Sequence, residues 1–403
     1  MKTVLQINSV ANSGSTGRIV EEISQLAISS GWQSYIAYGR WQYNSKTKLI
    51  KIGNIISIYL HGLISVLFDG HGYGSKRATK KFLKKVDLLN PDIIHLHNIH
   101  GYYINIKLLF NYLEKKNIPV IWTLHDCWAF TGHCAHFDFI GCNKWMFQCH
   151  LCPQKHKYPA SLFLSRSSHN YLLKKKIFNQ IKKMTIVPVS YWLSLNVQKS
   201  FLNRHPVHII QNGIDLDVFS AQYNVEQIKI KYGINGKFLI LGVASPWTKL
   251  KGLNDFILLH KLLDQDCIIL LVGLNKKQIQ KLPSGIIGIE RTENIHTLAN
   301  LYSAADLYIN PTWEETFSLT NLESMACGTP IITYRTGGSV ELVSENTGFI
   351  VNKGDINELY KYVNIVKQAG KAFYSEYCRK HAISQFNKQT KFLEYINLYN
   401  QIS

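Results

Sequence analysis

Short apolar runs alternate along the chain with segments whose apolar residues recur at helical spacing. The runs are rich in valine, isoleucine and leucine, and they predict strands at residues 2–8, 34–38, 92–97, 120–124, 185–189, 207–210, 238–243, 268–272, 307–310 and 330–334. The segments between them predict helices, including residues 18–29 and 105–115 and helices that begin at residues 253, 297 and 319. Continuous apolar strands that alternate with helices are typical of parallel sheets covered on both faces.

The strand-helix alternation runs twice, with a break near residues 204–217. An Asn-Gly pair at Asn212 marks the break, because this pair strongly favours a turn. A chain of 403 residues is long enough for two or three domains of roughly 150 residues each. We therefore predict an α/β protein with two doubly wound domains, residues 1–205 and 206–385. Residues 386–403 carry an apolar stripe at helical spacing, and we expect this last helix to pack back on the first domain.

The longest apolar run covers residues 55–68 and contains His61. A membrane-spanning helix needs about 20 apolar residues, so this run is too short to cross a bilayer. Two interpretations stay open: a buried helix, or a helix face that rests on a membrane or on an acceptor lipid. The first residues predict a strand and a turn, so we expect no secretory signal. The expected location is the cytoplasm, including the cytoplasmic face of the membrane.

Positive charge is concentrated in the first half of the chain. The formal net charge is +19, and residues 1–205 supply +18 of it, from 26 Lys and Arg against 8 Asp and Glu. Two basic clusters, at residues 76–85 and 174–183, contribute much of this excess. An imbalance of this kind predicts an anionic partner, such as acidic lipid, a phosphorylated ligand or nucleic acid, although a solvated helix face is the alternative for each cluster.

Candidate chemistry in the first domain lies after its predicted strands, because ligands of open parallel sheets bind at the carboxyl ends of the strands. The loop with Gly14 and Gly17 precedes a helix and predicts either a phosphate cradle or an ordinary flexible turn. His125 and Asp126 follow the strand at 120–124, where the histidine either hydrogen-bonds a sugar hydroxyl or caps a helix. Three further histidines cluster around the end of the preceding strand: His95, His97 and His100.

The second domain carries charged residues in the corresponding places. Lys249 and Lys251 follow the strand at 238–243, where a lysine can neutralise a diphosphate. Glu315 and Glu323 are eight residues apart, about two helical turns, with Glu315 just before a predicted helix. A carboxylate that faces hydroxyls, beside backbone N–H groups directed at phosphate, suits a sugar nucleotide. Acidic residues that simply favour the helix dipole are the alternative.

These motifs occur together in an order that resembles the retaining glycosyltransferases of family 4. They are N-x-G-x-x-G at residues 12–17, NGID at 212–215, KG at 251–252, and E-x7-E from Glu315 to Glu323 followed by SMACGTPII. The resemblance covers essentially the whole chain. The segments HLHNIHGYY and LHDCWAFTGHC are most similar to bacterial enzymes of colanic-acid or other exopolysaccharide assembly. The resemblance implies the GT-B architecture of two facing Rossmann-like domains and transfer of a sugar from a nucleotide-sugar donor to a glycan acceptor, expected to be lipid-linked.

The resemblance also implies roles for individual residues. Glu315 would contact the hydroxyls of the transferred sugar, Lys251 would face the diphosphate, and His125 would sit beside the donor sugar. The implied donor-binding residues are Gly14, Gly17, Lys249, Thr316, Phe317, Ser318, Leu319 and Glu323, the last of which would bind the ribose. The family implies neither a catalytic metal nor a covalent nucleophile, so we expect no cofactor for catalysis.

One position departs from the family pattern. Family members usually carry an arginine five or six positions before the lysine that Lys251 matches, and Pro246 and Ser245 stand there in this chain. Lys249 or Arg18 is the candidate for the missing charge, unless the donor is held differently.

Two other functions fit part of the pattern. Another GT-B enzyme, such as a nucleotide-sugar epimerase, would share the donor-binding motifs. A basic nucleic-acid-binding protein would share the charge, but the positive charge is confined to one domain and no recognition helix stands out, so we expect no nucleic acid as partner.

The cysteines form a separate cluster in the first domain. Five of the eight lie within residues 127–152, and four of these have spacings that suit a metal: Cys134, Cys142, Cys149 and Cys152. Four thiolates satisfy the tetrahedral preference of structural zinc. Reduced thiols in a loop core and disulfides are the alternatives.

Overall fold

The computed structural model describes residues 1–221 and 225–403, and the chain divides into two compact units. Unit 1 comprises Met1–Gln211 and Lys391–Ser403, and unit 2 comprises Asn212–Thr390. The boundaries at 205/206 and 385/386 that the sequence predicts each lie a few residues before these divisions.

Unit 1 is built on a six-stranded parallel sheet with the strand order β3-β2-β1-β4-β5-β6. The strands are β1 Thr3–Asn8, β2 Gln33–Tyr38, β3 Lys48–Lys51, β4 Ile93–Leu96, β5 Val120–Leu124 and β6 Met184–Pro188. The helices between and after them are α1 Gly14–Ser29, α2 Ile55–Phe68, α3 Lys76–Leu89, α4 Ile106–Lys116, α5 Ser167–Asn179 and α6 Tyr191–Lys199. β1, β4 and β5 are buried along their whole length, as expected for strands covered on both faces.

Unit 2 repeats this topology with a second parallel sheet, in the order β12-β11-β10-β7-β8-β9. Its strands are β7 Phe238–Val243, β8 Cys267–Val272, β9 Ile286–Ile289, β10 Leu307–Asn310, β11 Ile331–Tyr334 and β12 Gly348–Val351. Its helices are α7 Val225–Lys231, α8 Leu253–His260, α9 Lys276–Ile279, α10 Ile295–Ala304, α11 Leu319–Ala326, α12 Ile356–Ala369 and α13 Lys371–Phe386. The α/β fold with parallel sheets that the sequence predicts is therefore confirmed.

The last helix, α14 Lys388–Ile402, packs on the sheet of unit 1. The Tyr399 hydroxyl lies 2.7 Å from Nδ1 of His95 on β4, and the Tyr399 ring contacts Trp32 edge-on. The apolar stripe of this helix is thus buried against residues near the start of the chain.

One predicted strand is absent from unit 1. Residues 207–210 follow β6 but form a single bridge, between Val207 and Ile186, so the strand prediction there is wrong. The His208 and Ile210 N–H groups donate to the Ile186 and Pro188 carbonyls, but Pro188 has no N–H group to donate to this segment, so the ladder does not continue past the bridge.

The helix α2 is oriented opposite to the buried-helix interpretation. Its polar residues His61 and Ser65 are buried, whereas its large apolar side chains are exposed. His61 accepts a hydrogen bond from the Gly72 N–H and lies 3.0 Å from the Ser75 hydroxyl, which anchors the polar side of the helix in the protein. The exposed residues are Ile55, Ile56, Tyr59, Leu60, Leu63, Ile64 and Phe68. The interpretation of residues 55–68 as a buried helix is therefore wrong.

Candidate active site

In unit 2, two oppositely charged side chains meet at the point where the strand order reverses. β7 and β10 are neighbours at this switch point, which is where ligands of open parallel sheets bind. Lys251 lies on a 3-10 turn, Lys249–Lys251, after β7, and Glu315 lies in the loop between β10 and α11. The Lys251 Nζ atom is 3.0 Å from Oε2 of Glu315. The structure thus brings together the two charged residues that the sequence assigns to catalysis in this domain.

Backbone contacts hold these two loops against each other. The Trp313 N–H donates to the Leu250 carbonyl at 2.8 Å. Gly252 has a φ of +76°, and a Cβ at this position would lie 2.3 Å from the Pro311 carbonyl oxygen. Only glycine satisfies both the backbone angle and the close approach. The main chain therefore holds the loop of Lys251 beside the loop of Glu315, independently of the ion pair.

A second glycine packs against the backbone of Glu315. Gly337, after β11, has a φ of +47°, and a Cβ there would overlap the Glu315 carbonyl oxygen at 1.5 Å. The Thr336 hydroxyl donates to the Trp313 carbonyl at 3.0 Å and fixes the same loop. The Gly-Gly pair at residues 337–338 was not identified from the sequence, although a Gly-Gly directly after a strand is a signal for close backbone approach.

The N-terminus of α11 opens beside the Glu315 loop. Ser318 caps the helix by accepting a hydrogen bond from the Asn321 N–H at 3.3 Å. The amide of Asn310, at the end of β10, donates to the Ser318 hydroxyl and to the Asn321 side chain, each at 2.9 Å. This network ties the strand end to the helix start, where backbone N–H groups favour an anion. Four predicted donor-binding residues form this entrance: Thr316, Phe317, Ser318 and Leu319.

Glu323 lies one turn into α11 and is buried. Its Oε2 atom accepts a hydrogen bond from the Tyr302 hydroxyl at 2.9 Å. Burial, with the carboxylate as a second cause, raises the pKa of Tyr302 far above its ordinary value, so the tyrosine acts as a donor at all physiological pH values. One oxygen of Glu323 is thereby fixed in direction.

The two candidates for the missing arginine charge lie in different units. Lys249 is exposed and lies on the same 3-10 turn as Lys251. Arg18 belongs to unit 1, where its Nε donates to the Gly14 carbonyl at 3.3 Å.

In unit 1, the loop after β1 leads into α1 at Gly14. Gly14 has a φ of +63°, and among the residues that the structure describes nothing lies within 4 Å of the position of its missing Cβ. Gly17 is different, since a Cβ there would lie 3.0 Å from Cγ2 of Val10. Gly14 therefore leaves open space at the helix start, and Gly17 allows the helix to pack closely on its own loop.

His125, at the carboxyl end of β5, belongs to a series of hydrogen-bonded side chains that includes His97 and Gln6. Its Nε2 atom lies 3.1 Å from Nδ1 of His97, and Nε2 of His97 lies 3.1 Å from Oε1 of Gln6 on β1. Burial lowers the pKa of His125 to about 4 and that of His97 well below its ordinary value. Both imidazoles are therefore neutral at neutral pH. His97 was among the sequence candidates, whereas Gln6 was missed.

Asp126 is hydrogen-bonded to a second histidine. Its Oδ2 atom is 2.8 Å from Nε2 of His100, and its Oδ1 atom accepts from the Trp128 N–H at 2.8 Å. Burial alone would raise the pKa of Asp126, but the charge and hydrogen bond of His100 hold it at about 2. Asp126 therefore stays ionised and anchors the loop that follows His125.

The four cysteines of the predicted zinc site are free thiols in this structure. The side chains of Cys134 and Cys152 share a hydrogen bond, which lowers the pKa of the Cys152 thiol below its ordinary value. Cys149 accepts a hydrogen bond from the Gly132 N–H at 3.2 Å, and Cys142 is only half-buried. Over residues 1–221 and 225–403, no three of these sulfurs lie within 4.8 Å of one another. The arrangement favours reduced thiols, and zinc at Cys134, Cys142, Cys149 and Cys152 stays a prediction.

The cluster of potential ligands that does lie close together is Asp69, His71 and His133, which is fully buried. The Trp128 indole N–H donates to Nδ1 of His71, so a neutral His71 carries its proton on Nε2, the nitrogen 3.6 Å from the Asp69 carboxylate. His133 is 2.6 Å from the same carboxylate oxygen. A cation at this place would compete with these donors, so the cluster is best described as a hydrogen-bond network around Asp69.

Comparisons with known proteins identify the family. Residues 16–218, just over half of the chain, match the family model described as Glycosyltransferase Family 4, and residues 237–366 match the model described as Glycosyl transferases group 1. A curated relative, the putative colanic acid biosynthesis glycosyl transferase WcaC of Escherichia coli K12, is 25% identical over 228 residues, which cover 53% of this chain and 55% of the relative. The chain spans about half the length of the first curated relatives it matches.

Solved structures agree on the fold. Sucrose-phosphate synthase from Thermosynechococcus elongatus has a TM-score of 0.73 at 16% identity, with 100% of this chain and 99% of that chain covered. HepE from Anabaena in complex with UDP-glucose has a TM-score of 0.67 at 14% identity, with both chains fully covered. The chain therefore belongs to glycosyltransferase family 4 and has the GT-B fold.

Proposed function

We propose that this chain is a retaining glycosyltransferase that moves a sugar from a nucleotide-sugar donor to a lipid-linked glycan acceptor in surface polysaccharide biosynthesis. Similarity to a relative named for colanic acid biosynthesis supports the polysaccharide role. The structural neighbour that was solved with UDP-glucose supports a nucleotide sugar as donor.

The observation that carries the proposal is the Lys251–Glu315 pair at the switch point of unit 2. The pair is partly exposed, with 37% of the Lys251 side chain and 20% of the Glu315 side chain accessible, so a ligand can reach both groups. An ion pair of this exposure contributes little to stability, which leaves ligand binding as the better reason for its fixed geometry. Lys251 and the N–H groups at the start of α11 offer positive charge to a diphosphate, and Glu315 offers a carboxylate to sugar hydroxyls.

The transfer itself then needs positioning and charge stabilisation. The bond between the anomeric carbon and the diphosphate oxygen breaks, and the acceptor oxygen forms a new bond to that carbon on the same face. The acceptor proton passes to the departing diphosphate, whose negative charge Lys251 stabilises. We assign the ribose to Glu323, and we propose that the open start of α1 at Gly14, in unit 1, is a phosphate-binding position.

The test of the donor site is binding of a panel of UDP-, GDP- and ADP-sugars, measured as the rise in Tm. A bound donor raises the apparent stability by mass action, so one nucleotide class should raise the Tm of the wild type. Lys251→Ala should abolish most of this rise. Lys367→Ala is the matched control, because Lys367 forms an ion pair of 2.7 Å with Asp266 just before β8, at the opposite ends of the strands.

The proposal fails if no nucleotide sugar raises the Tm of the wild type. It also fails if Lys251→Ala and Lys367→Ala respond to the donor equally, because the charge at the switch point would then be irrelevant to binding.

A lipid-linked acceptor requires access to a membrane surface, and unit 1 offers a suitable face. The exposed apolar side of α2 includes Tyr59, of which 73% is accessible, and Leu162 donates its N–H to Val66 at 2.8 Å, which brings the apolar loop 162–164 alongside. We define the α2 face as the exposed residues of α2 together with Leu162, Phe163 and Leu164. Contiguous exposed apolar residues of this kind mark interaction surfaces.

The neighbouring helix α3 supplies positive charge. Its start contacts α2, because the hydroxyl of Ser75, which precedes α3, donates to the Ser57 carbonyl at 3.5 Å and lies 3.0 Å from Nδ1 of His61. Six exposed cationic residues line it: Lys76, Arg77, Lys80, Lys81, Lys84 and Lys85. An apolar face beside a basic helix complements an anionic bilayer, which takes up apolar side chains and attracts cations. None of the helices within residues 1–221 and 225–403 has both the length and the apolar content to cross a bilayer.

Membrane contact is tested by sedimentation with vesicles of phosphatidylcholine alone or mixed with phosphatidylglycerol. The wild type should bind the anionic vesicles at low salt, and Ile56→Ser/Tyr59→Ser/Leu63→Ser should bind them at least tenfold more weakly. Phe373→Ser/Tyr377→Ser, on α13 of unit 2, removes similarly exposed rings and should leave binding unchanged. Absence of binding to anionic vesicles at low salt would refute the membrane contact.

A further inference from the structure

We infer that Gln6 and His97 are positioning residues that fix the tautomer of His125, with the proton on Nε2 and the lone pair on Nδ1. The inference rests on the proposed function only for the ligand. The tautomer itself follows from the hydrogen bonds inside unit 1.

The side-chain amide of Gln6 sets which atoms donate and which accept in the hydrogen bonds from Gln6 through His97 to His125. Its side-chain Nε2 donates to the Val20 carbonyl at 3.1 Å, and a carbonyl oxygen can only accept. The orientation of the amide is therefore unambiguous, and Oε1 is the atom that faces His97. Gln6 is completely buried in the middle of β1, where α1 packs on the strand, so water cannot replace either partner.

The next step passes through His97. Because Oε1 of Gln6 is an acceptor, the proton of the neutral His97 ring must sit on Nε2, 3.1 Å away. Its Nδ1 atom then has a lone pair and accepts. The ring is held in place on its other side by His95, whose ring centroid lies 4.0 Å away. The Trp122 indole N–H donates to the His97 carbonyl at 3.1 Å and fixes the backbone as well.

The hydrogen bond with His97 determines which nitrogen of His125 carries the proton. With an acceptor at Nδ1 of His97, the proton of His125 must sit on its Nε2 atom, 3.1 Å away. The opposite nitrogen, Nδ1, is consequently an acceptor. The two rings are nearly coplanar, with 18° between them, which suits a direct N–H···N hydrogen bond.

This state decides which chemistry His125 can perform. A neutral ring with no proton at Nδ1 cannot protonate a leaving group from that nitrogen. Because burial lowers the pKa of His125 to about 4, the ring is also a weak general base at neutral pH. It can accept a hydrogen bond from a hydroxyl of the bound sugar and so orient that sugar. We therefore assign His125 to sugar positioning, with specificity for a hydroxyl at the contacted carbon.

The direct test is the tautomeric state of His125 by nuclear magnetic resonance of protein labelled with ¹⁵N-histidine, with His125→Gln for assignment. Long-range proton-nitrogen correlations in the wild type should show a protonated Nε2 and an unprotonated Nδ1. Gln6→Met removes the acceptor oxygen at similar volume, and His97→Phe removes the acceptor of the His125 proton. Both variants should show a mixture of tautomers.

Ser24→Ala is the matched control, because it removes a buried hydrogen bond of 2.6 Å to Ser34 in the same unit without touching the chain of histidines. Its His125 signals should be those of the wild type. A protonated Nδ1 in the wild type, or an unchanged tautomer in both Gln6→Met and His97→Phe, would overturn the inference.

Turnover separates this inference from the proposed function. Gln6→Met should lower kcat about tenfold, the size of one hydrogen bond to the transferred sugar, while the donor KM stays within about twofold. If the tautomer shifts as expected but kcat stays at the wild-type level, the positioning of His125 is right and its role in sugar binding is wrong.

Discussion

The two units share one sheet topology but differ in the chemistry at the carboxyl ends of their strands. In unit 2, the switch point carries a charged pair, Lys251 and Glu315, at 3.0 Å. In unit 1, the ends of β4 and β5 carry neutral imidazoles, held by burial and by the amide of Gln6. A charged pair can neutralise a diphosphate, whereas a neutral imidazole can only orient hydroxyls. The comparison teaches that the same strand order serves two different tasks, and that side chains at the strand ends decide between them.

The histidines are divided just as unevenly. Thirteen of the sixteen lie in residues 1–211, and the remaining three are His260, His296 and His381. Histidine is the side chain whose charge changes near neutral pH, so the two units should respond differently to acid.

The largest expected effect is therefore acid destabilisation of unit 1. Six of its histidines have pKa values lowered chiefly by burial: His61, His71, His95, His97, His125 and His205. In the unfolded chain these groups take up protons near pH 6.5, whereas folded His61, His125 and His205 do so only near pH 4. The free energy of unfolding should fall as the pH is lowered through this window, by about 1.4 kcal/mol per pH unit for each histidine.

Hydrogen exchange at pH 7.5 and 5.5, corrected for the intrinsic rates, measures this effect for each unit separately. Peptides from β4 and β5 should lose several kcal/mol of protection at the lower pH, while peptides from β8 and β10 should lose much less. Equal loss in both units would contradict the division into a neutral and a charged edge.

The next effect is on turnover at the charged edge. Glu315→Gln keeps the shape of the side chain but removes the carboxylate that faces Lys251, and we expect kcat to fall about a hundredfold. Glu293→Gln is the control, because Glu293 forms an exposed ion pair of 2.9 Å with Lys231 elsewhere in unit 2. A Glu315→Gln enzyme with wild-type kcat would remove the charged pair from the mechanism.

A backbone substitution should test how that edge is held in place. Gly337→Ala puts a Cβ onto the Glu315 carbonyl and forces alanine to a φ of +47°. We expect the free energy of unfolding to fall by about 2 kcal/mol and the activity to be lost as well. Gly233→Ala has a similar φ of +64° but meets nothing within 4 Å among the described residues. Gly233→Ala should lower the free energy of unfolding by about 1 kcal/mol and leave kcat unchanged. Equal costs for the two variants would show that the Glu315 loop does not depend on Gly337.

The smallest expected effect concerns the thiols of unit 1. Cys152 is half-buried and its hydrogen bond with Cys134 lowers the pKa of its thiol, so it should react first with iodoacetamide at pH 7. The fully buried Cys127 and Cys378 should stay unmodified without denaturant. Peptide mass spectrometry identifies the modified residue. About one zinc per chain in metal analysis, with Cys152 protected from alkylation, would instead support the four-thiol zinc site.

The sequence predicted the buried centre of each sheet better than its edges. Strands such as β5 and β8 are nearly continuous apolar runs because both faces are covered. The three strands that were missed, β3, β9 and β12, are all sheet edges with half-exposed side chains. Lysines bound β3, and β9 and β12 each contain a glycine, so their apolar runs are only two or three residues long. The orientation of α2 was not predictable in the same way. An apolar run predicts a helix, but it does not tell whether the apolar side faces the protein or the solvent.

The candidate site was predictable where one loop carries the chemistry. Glu315 and Lys251 follow strands, and their positions in the E-x7-E and KG motifs identified them. Gly337 and Gln6 were missed because their roles depend on contacts with distant segments. The contact of Gly337 with Glu315 crosses from one loop to another, and the contact of Gln6 with His97 joins two strands about ninety residues apart in sequence.

The central claim is that the charged edge of unit 2 binds the diphosphate of a nucleotide sugar. The most direct test compares hydrogen exchange of the protein with and without the nucleotide sugar that raises the Tm most. The account predicts slower exchange at residues 249–252 and 315–321 of the wild type and no such footprint in Lys251→Ala. Protection that lies outside these loops, or that persists unchanged in Lys251→Ala, would contradict it.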